Sequence, residues 1–187
     1  TGAKDLDIDS RYSKVKLLGC ESLKIKGYED RFESIVSGDV EIDGRYSDYT
    51  ILSAENINAK MYEGSILLPK VNGTFTLNGR YVEVNISYIN ALKLQDGYEN
   101  NLKIKEANEV ISKKGRYNEF DIDKLNNKIE VEGYEKEVEI LELSSDFEKV
   151  LVDGKYMELK IDFKNEVNYL LHGAIQYPDL DVDMSDF

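Results

Sequence analysis

Apolar and polar residues alternate in short runs along this chain, and the runs recur at a nearly fixed interval. Around Gly44, Val40 and Ile42 lie four and two residues before, and Tyr49 and Ile51 five and seven after. The same four slots hold Phe75, Leu77, Val84 and Ile86 around Gly79, and Ile129, Val131, Val138 and Ile140 around Gly133. They hold Val150, Val152, Leu159 and Ile161 around Gly154. Ser10 takes the central position between Leu6, Ile8, Val15 and Leu17, and Met61 takes it between Ile57, Ala59, Ile66 and Leu68. The ten central positions are Ser10, Gly27, Gly44, Met61, Gly79, Gly97, Gly115, Gly133, Gly154 and Gly173, spaced 17, 17, 17, 18, 18, 18, 18, 21 and 19 residues apart. Some modules depart from the pattern. Leu92 and Leu94 sit one residue early, Lys113 stands in an apolar slot before Gly115, and Ser34 stands in one after Gly27.

Apolar residues at every second position predict strands with one buried face. The central glycine allows positive φ or close backbone approach, so it is expected to mark a corner between two strands of a module. No window carries the i, i+3, i+4, i+7 spacing of an amphipathic helix, and little or no helix is expected.

Tyrosines add a second regularity. Tyr12, Tyr46, Tyr81, Tyr117 and Tyr156 fall two residues after the central position, and Tyr28, Tyr62, Tyr98 and Tyr134 fall one after. Where the offset is two, Arg11, Arg45, Arg80, Arg116 or Lys155 precedes the tyrosine, and in four of those five modules Asp48, Glu83, Glu119 or Glu158 follows two residues later. The alternation suggests a unit of two modules, about 35 residues, and an acidic column beside the basic one.

A module this short cannot bury its apolar face alone, whereas a stack of modules buries a continuous core. The fold class expected is therefore all-β, a parallel β-solenoid of ten 17–18-residue modules, with an antiparallel β-meander or sandwich as the alternative. Whether one module or a pair makes one coil is left open by the pattern. Residues 1–187 form a single repeat domain on this reading, with a C-terminal capping segment over about 165–187. There Pro178 cannot donate to a ladder, and Asp179, Asp181, Asp183 and Asp186 discourage further stacking. No such device precedes Leu6, so the native protein is expected to continue upstream of Thr1.

Charge narrows the partners. The formal net charge of −13 argues against nucleic acid and anionic membrane surfaces, and no apolar run reaches the ~20 residues of a membrane-spanning helix. Cys20 is the only cysteine, expected as a small filler, so no disulfide forms within the chain. The single histidine, His172, lies beside the last central glycine with no nucleophile motif near it. No phosphate loop, zinc pattern or nucleophile elbow occurs. Asp5-Leu6-Asp7-Ile8-Asp9 and Asp179-Leu180-Asp181-Val182-Asp183 lack the glycine and terminal glutamate of a calcium loop, and read as strands with the polar face outward. Asn72-Gly73-Thr74 and Asn85-Ile86-Ser87 fit the glycosylation triplet, which is too common to weigh. No catalytic residue, cofactor or metal site is expected. The residues singled out are structural: Gly27, Gly44, Gly79, Gly97, Gly115, Gly133 and Gly154, with Tyr46, Tyr81, Tyr117 and Tyr156.

The recurring Gly-Arg-Tyr at residues 44–46, 79–81 and 115–117, with Leu6 to Tyr12 and the ending from Gly154-Lys155-Tyr156 to Tyr177-Pro178, resembles the bacterial adhesin group that includes the auto-transporter adhesin head GIN domains. The resemblance is one of repeat pattern over nearly the whole chain. It implies a right-handed, β-helix-like fold, export to the periplasm or cell surface, and a non-enzymatic role in adhesion or scaffolding with a protein or glycan of the cell envelope. A polysaccharide-binding or polysaccharide-degrading β-helix is the alternative function, and head-to-tail assembly into a polymer is a third.

Overall fold

The period-two alternation folds as strand along nearly its whole length. The structure is a computed structural model that describes residues 3–162 and 179–183. The strands are β1 (Ala3–Arg11), β2 (Lys14–Tyr28), β3 (Arg31–Val36), β4 (Val40–Ile51), β5 (Ile57–Tyr98), β6 (Asn101–Ser112), β7 (Glu119–Tyr134), β8 (Glu137–Ile140), β9 (Lys149–Lys155), β10 (Glu158–Asp162) and β11 (Asp179–Asp183). There is no helix among the described residues.

Every pairing between these strands is parallel, so the antiparallel meander and sandwich are ruled out. The chain is a β-solenoid of about nine turns. Register decides the coil: Ser10 lies opposite Gly27, Gly27 opposite Gly44, and Gly44 opposite Met61. One module is therefore one coil, and the two-module coil suggested by the tyrosines does not occur. Their alternation has another cause, given below.

Identical slots stack into apolar columns at about 4.8 Å per coil. One column runs Leu23, Val40, Ile57 and Phe75, and another Phe32, Tyr49, Ile66 and Val84, all buried. A further column, ten residues after the central position in most coils, was not singled out from the sequence. It contains Cys20, Ala54, Val71, Ile89, Ala107, Leu125 and Leu143, and closes the third side of the coil. Cys20 is thus a core filler, and burial raises its thiol pKa. Ser34 occupies a core slot with its hydroxyl unpartnered.

Spacing changes are absorbed at defined places. The 21-residue interval between Gly133 and Gly154 holds an extra turn closed by the Phe147 amide on Ser144 O, and Phe147 folds against the core. Around Gly97 and Gly115 the extra residue enters the strand itself. Leu92 and Leu94 align with Val110 and Ser112, which in turn align with Ile129 and Val131. The core slot before Gly115 is consequently filled by Ser112, and Lys113 points to solvent.

At the C-terminal end, β11 pairs in parallel with β10, so the acidic alternation Asp179–Asp183 continues the stack as one more strand. Asp5–Asp9 behaves as expected, with Leu6 and Ile8 half-buried and the aspartates exposed. His172, Gly173 and Pro178 lie outside the described residues.

Candidate functional site

The corner after each central position carries the most organised surface of the molecule. The turn is made two residues beyond the central position, by non-glycine residues in the left-handed region: Tyr12, Glu29, Tyr46, Glu63, Tyr81, Glu99, Tyr117, Glu135 and Tyr156, with φ between 46° and 59°. The central glycines lie two residues ahead of this turn: Gly115, Gly133 and Gly154 do take positive φ, of 92°, 140° and 158°, against the backbone of the preceding coil, whereas Gly27, Gly44, Gly79 and Gly97 do not take positive φ. Each left-handed tyrosine or glutamate costs on the order of 1 kcal/mol of backbone strain, which persists because the coils above and below hold it in place.

The glycines answer a different demand. The residue three after the central position turns inward beneath it: Asp30, Ser47, Val82, Asn100, Asn118, Lys136 and Met157 are all buried. A Cβ at Gly97 would meet the Asn100 and Asn118 side chains at 2.8 and 2.9 Å, and one at Gly133 would meet Lys136 Cε at 3.0 Å. At Gly27 and Gly44 the obstacle is Tyr49, whose hydroxyl reaches across the core to within 2.3 and 2.6 Å of where their Cβ atoms would stand. The Met61 coil obeys the same rule in reverse. Its central side chain is large and buried, and the residue three later is Gly64.

The polar members of this set are tied to the neighbouring coils. Asp30 accepts from Ser10 Oγ at 2.7 Å, Ser13 N at 2.7 Å and Tyr28 N at 3.1 Å. Asn100 Nδ2 donates to Gly79 O and to Asn118 Oδ1, each at 2.8 Å. Lys136 Nζ donates to Ser112 Oγ at 2.8 Å, Lys114 O at 2.8 Å and Glu132 O at 2.6 Å. Burial pushes the Lys136 ammonium down to about 8.

On the outside of the corner, the positions one and two after the center alternate Arg-Tyr and Tyr-Glu from coil to coil, with Lys155-Tyr156 in place of Arg-Tyr in the last. All nine tyrosines thereby join one ridge. Eight successive ring pairs stand 5.3–6.3 Å apart, with interplanar angles of 75–88°. A column of identical rings one above another would be forced toward parallel stacking at the coil spacing. Shifting alternate rings by one backbone position gives the preferred edge-to-face contact. Burial among the rings and the adjacent Glu29, Glu99 and Glu135 raise the phenol pKa values of Tyr28, Tyr98 and Tyr134.

Arginine is concentrated on this ridge. Four of the five arginines, Arg11, Arg45, Arg80 and Arg116, stand on it, and none joins an ion pair within 4.0 Å among the described residues. The fifth, Arg31, pairs with Asp48 on the neighbouring face at 3.8 Å. The acids four residues after the center were expected to balance the ridge arginines. They engage their own face instead: Ser65 Oγ donates to Asp48, and Asn101 Nδ2 donates to Glu119. Arg116 lies 5.7 Å from the centroid of the Tyr134 ring, a cation–π contact.

Among the depressions of the described surface, two bear on the ridge and the flat faces. One of about 430 Å³ is sunk beside the ridge, floored by Gly97, Gly115 and Gly133 and flanked by Tyr98, Tyr134, Arg80 and Arg116. The other, about 800 Å³, runs over the outward face of the first coils, where Asn56, Asn58, Thr74 and Thr76 lie between the charged Asp7, Lys24 and Glu41. Lysine and glutamate on the flat faces pair from coil to coil, as in Lys16–Glu33 at 2.8 Å and Lys24–Glu41 at 3.0 Å. No group of three metal-binding side chains occurs among the described residues.

No family model, curated protein or solved structure matches this chain. What it can do rests on the surface itself. No described helix is long and apolar enough to cross a membrane.

Proposed function

We propose that this chain is a non-enzymatic, adhesin-like or scaffold module of the cell envelope, in the periplasm or at the cell surface, which presents its rigid repeat surface to a protein or glycan. The observation that carries this reading is the ridge: nine tyrosines in continuous edge-to-face contact, flanked by arginines left out of ion pairs. Tyrosine and arginine are the residues enriched at binding interfaces, where lysine is depleted. Such a ridge is pre-organised, because its rings are already held by their neighbours and lose little freedom on binding. Its length is about 40 Å at the coil spacing. The assignment to the cell envelope rests on the likeness of the Gly-Arg-Tyr repeats to the adhesin group.

Co-sedimentation with cell-envelope fractions tests the reading. The wild-type protein is expected to co-sediment, and the Tyr46→Thr/Tyr62→Thr variant, once circular dichroism shows its strands intact, is expected to stay in the supernatant. Turnover of a polysaccharide by the purified protein, abolished by a single carboxylate substitution, would overturn it in favour of a degrading enzyme. Binding of a polysaccharide is the second reading, and the glycine-floored depression beside the ridge favours it.

A further inference from the structure

We infer that the depression over Gly97, Gly115 and Gly133 binds a carboxylate-bearing sugar unit of a linear acidic polysaccharide. This rests on the glycan-binding reading above and names its ligand class. The depression lies where the otherwise regular stack is disturbed. The coils centred on Gly97 and Gly115 each carry an extra residue before the corner, and Gly115 takes a φ of 92° that strains any other residue. A Cβ at Gly115 would also strike the backbone of Gly97, so the floor is necessarily bare main chain.

Three cationic groups surround that floor. Arg80 and Arg116 rise two coils apart, about 9.6 Å at the coil spacing, and neither is held by an ion pair among the described residues. The third lies underneath. Lys136 is 2% exposed, and its Nζ would stand 3.2 Å from a Cβ at Gly133. Its ammonium is met by three carbonyls and the Ser112 hydroxyl, with no carboxylate in hydrogen-bonding contact. Glu132 is the carboxylate that acts on it electrostatically, without a hydrogen bond, and the field of a buried cation so weakly compensated is little screened. That field favours an anion above the glycines. Asp96 is the one carboxylate lining the depression.

The walls indicate what bears the anion. Tyr98 and Tyr134 stand on the same side two coils apart, and offer ring surface to the C–H face of a pyranose. The exposed main chain offers polar groups to its hydroxyls. A guanidinium takes a carboxylate with two parallel hydrogen bonds, which arginine does better than lysine. The ridge continues past the depression in both directions, so neighbouring units of a linear polymer have a track to follow.

Titration calorimetry at 50 mM and 300 mM salt tests this with octamers of galacturonate, mannuronate and a hyaluronan-type repeat, the fully methyl-esterified galacturonate octamer, and free galacturonate. At least one acidic octamer is expected to bind, more weakly at the higher salt, with the methyl ester and the monosaccharide binding at least tenfold more weakly. Arg116→Gln and Arg80→Gln are each expected to weaken it about tenfold, and Arg31→Gln, which removes the same charge from the neighbouring face off the ridge, by less than twofold. Equal binding of the methyl ester overturns the acidic assignment while leaving glycan binding in place. Equal loss in Arg31→Gln overturns the location. Absence of binding by every acidic octamer overturns the inference, and leaves a protein partner for the ridge to be tested by co-sedimentation.

Discussion

Steric exclusion at single atoms explains Gly27 and Gly44 better than backbone conformation does, and it makes them unequal. At Gly27 the severe conflict is with the Tyr49 hydroxyl at 2.3 Å, Asp30 Oδ2 standing at 3.0 Å and the ring carbon behind the hydroxyl 3.4 Å away. At Gly44 the ring itself intrudes, with Tyr49 Cε2 at 2.7 Å. The hydroxyl is a liability of its own. It is buried without a well-formed hydrogen bond, since Ser47 Oγ is already committed to Arg45 O at 2.8 Å and Asp30 N at 3.1 Å. Burial pushes this phenol up to about 12, with Ser47 opposing. Tyr49→Phe is therefore expected to be neutral or stabilising by about 1 kcal/mol. Gly27→Ala and Gly44→Ala are each expected to cost about 1–3 kcal/mol in the wild-type background. In the Tyr49→Phe background Gly27→Ala should be largely rescued and Gly44→Ala should not. Urea denaturation of the double-mutant cycles measures both couplings, and equal rescue at the two sites would contradict this geometry.

Within a strand, the sequence pattern reveals what repeats and conceals what compensates. Four apolar slots, the parallel stack and the tyrosine alternation are readable from spacing alone. The inward position three after the center is not, because Asp30, Ser47, Gly64, Val82, Asn100, Asn118, Lys136 and Met157 share no chemical class. What they share is the space left by the central residue, a relation visible only once the coil is closed. Lys113 illustrates the limit. It was assigned to an apolar slot by counting back from Gly115, but the extra residue in that strand moves Ser112 inward, where it receives the Lys136 ammonium. The depression beside the ridge was illegible for the same reason, since it follows from that extra residue in two adjacent coils. The Ser112–Lys136 pair carries a pH signature. Lys136 titrates near 8 in the fold and near 10.5 when unfolded, so below pH 8 both states are protonated and the burial penalty is constant. Between these values the unfolded chain holds the proton that the fold releases, and stability rises with pH by about 1–3 kcal/mol. Tyr49 and Cys20, raised by burial, act oppositely at higher pH. Lys136→Met/Ser112→Val replaces the pair with apolar groups and leaves both of those unchanged. The urea midpoint of the wild type is expected to gain on that variant between pH 7.5 and 9.5, and parallel curves would exclude the assignment.

Across the whole molecule two periods coexist, one coil for the core and two coils for the ridge. The core accepts any number of coils, since each apolar column continues through residues of one kind and stability in such stacks is approximately a sum over neighbouring units. The ridge is stricter. Its edge-to-face contacts require Arg-Tyr and Tyr-Glu coils to alternate, each aromatic pair contributing about 0.5–1.5 kcal/mol beyond the area it buries. Removing residues 45–61 deletes one coil and joins Gly44 to Tyr62, which puts Tyr28 and Tyr62 at the same offset in adjacent coils. Removing 45–79 deletes two coils and joins Gly44 to Arg80, which restores Tyr28 beside Tyr81 in the alternating arrangement. Stability should therefore not fall steadily with the length removed. The two-coil deletion is expected to melt at or above the temperature of the one-coil deletion, although it lacks twice as much of the core. Both variants need to be measured as monomers by differential scanning calorimetry. A two-coil deletion that melts well below the one-coil deletion would mean that core length outweighs the ridge, and that the alternation contributes little to holding the stack in register.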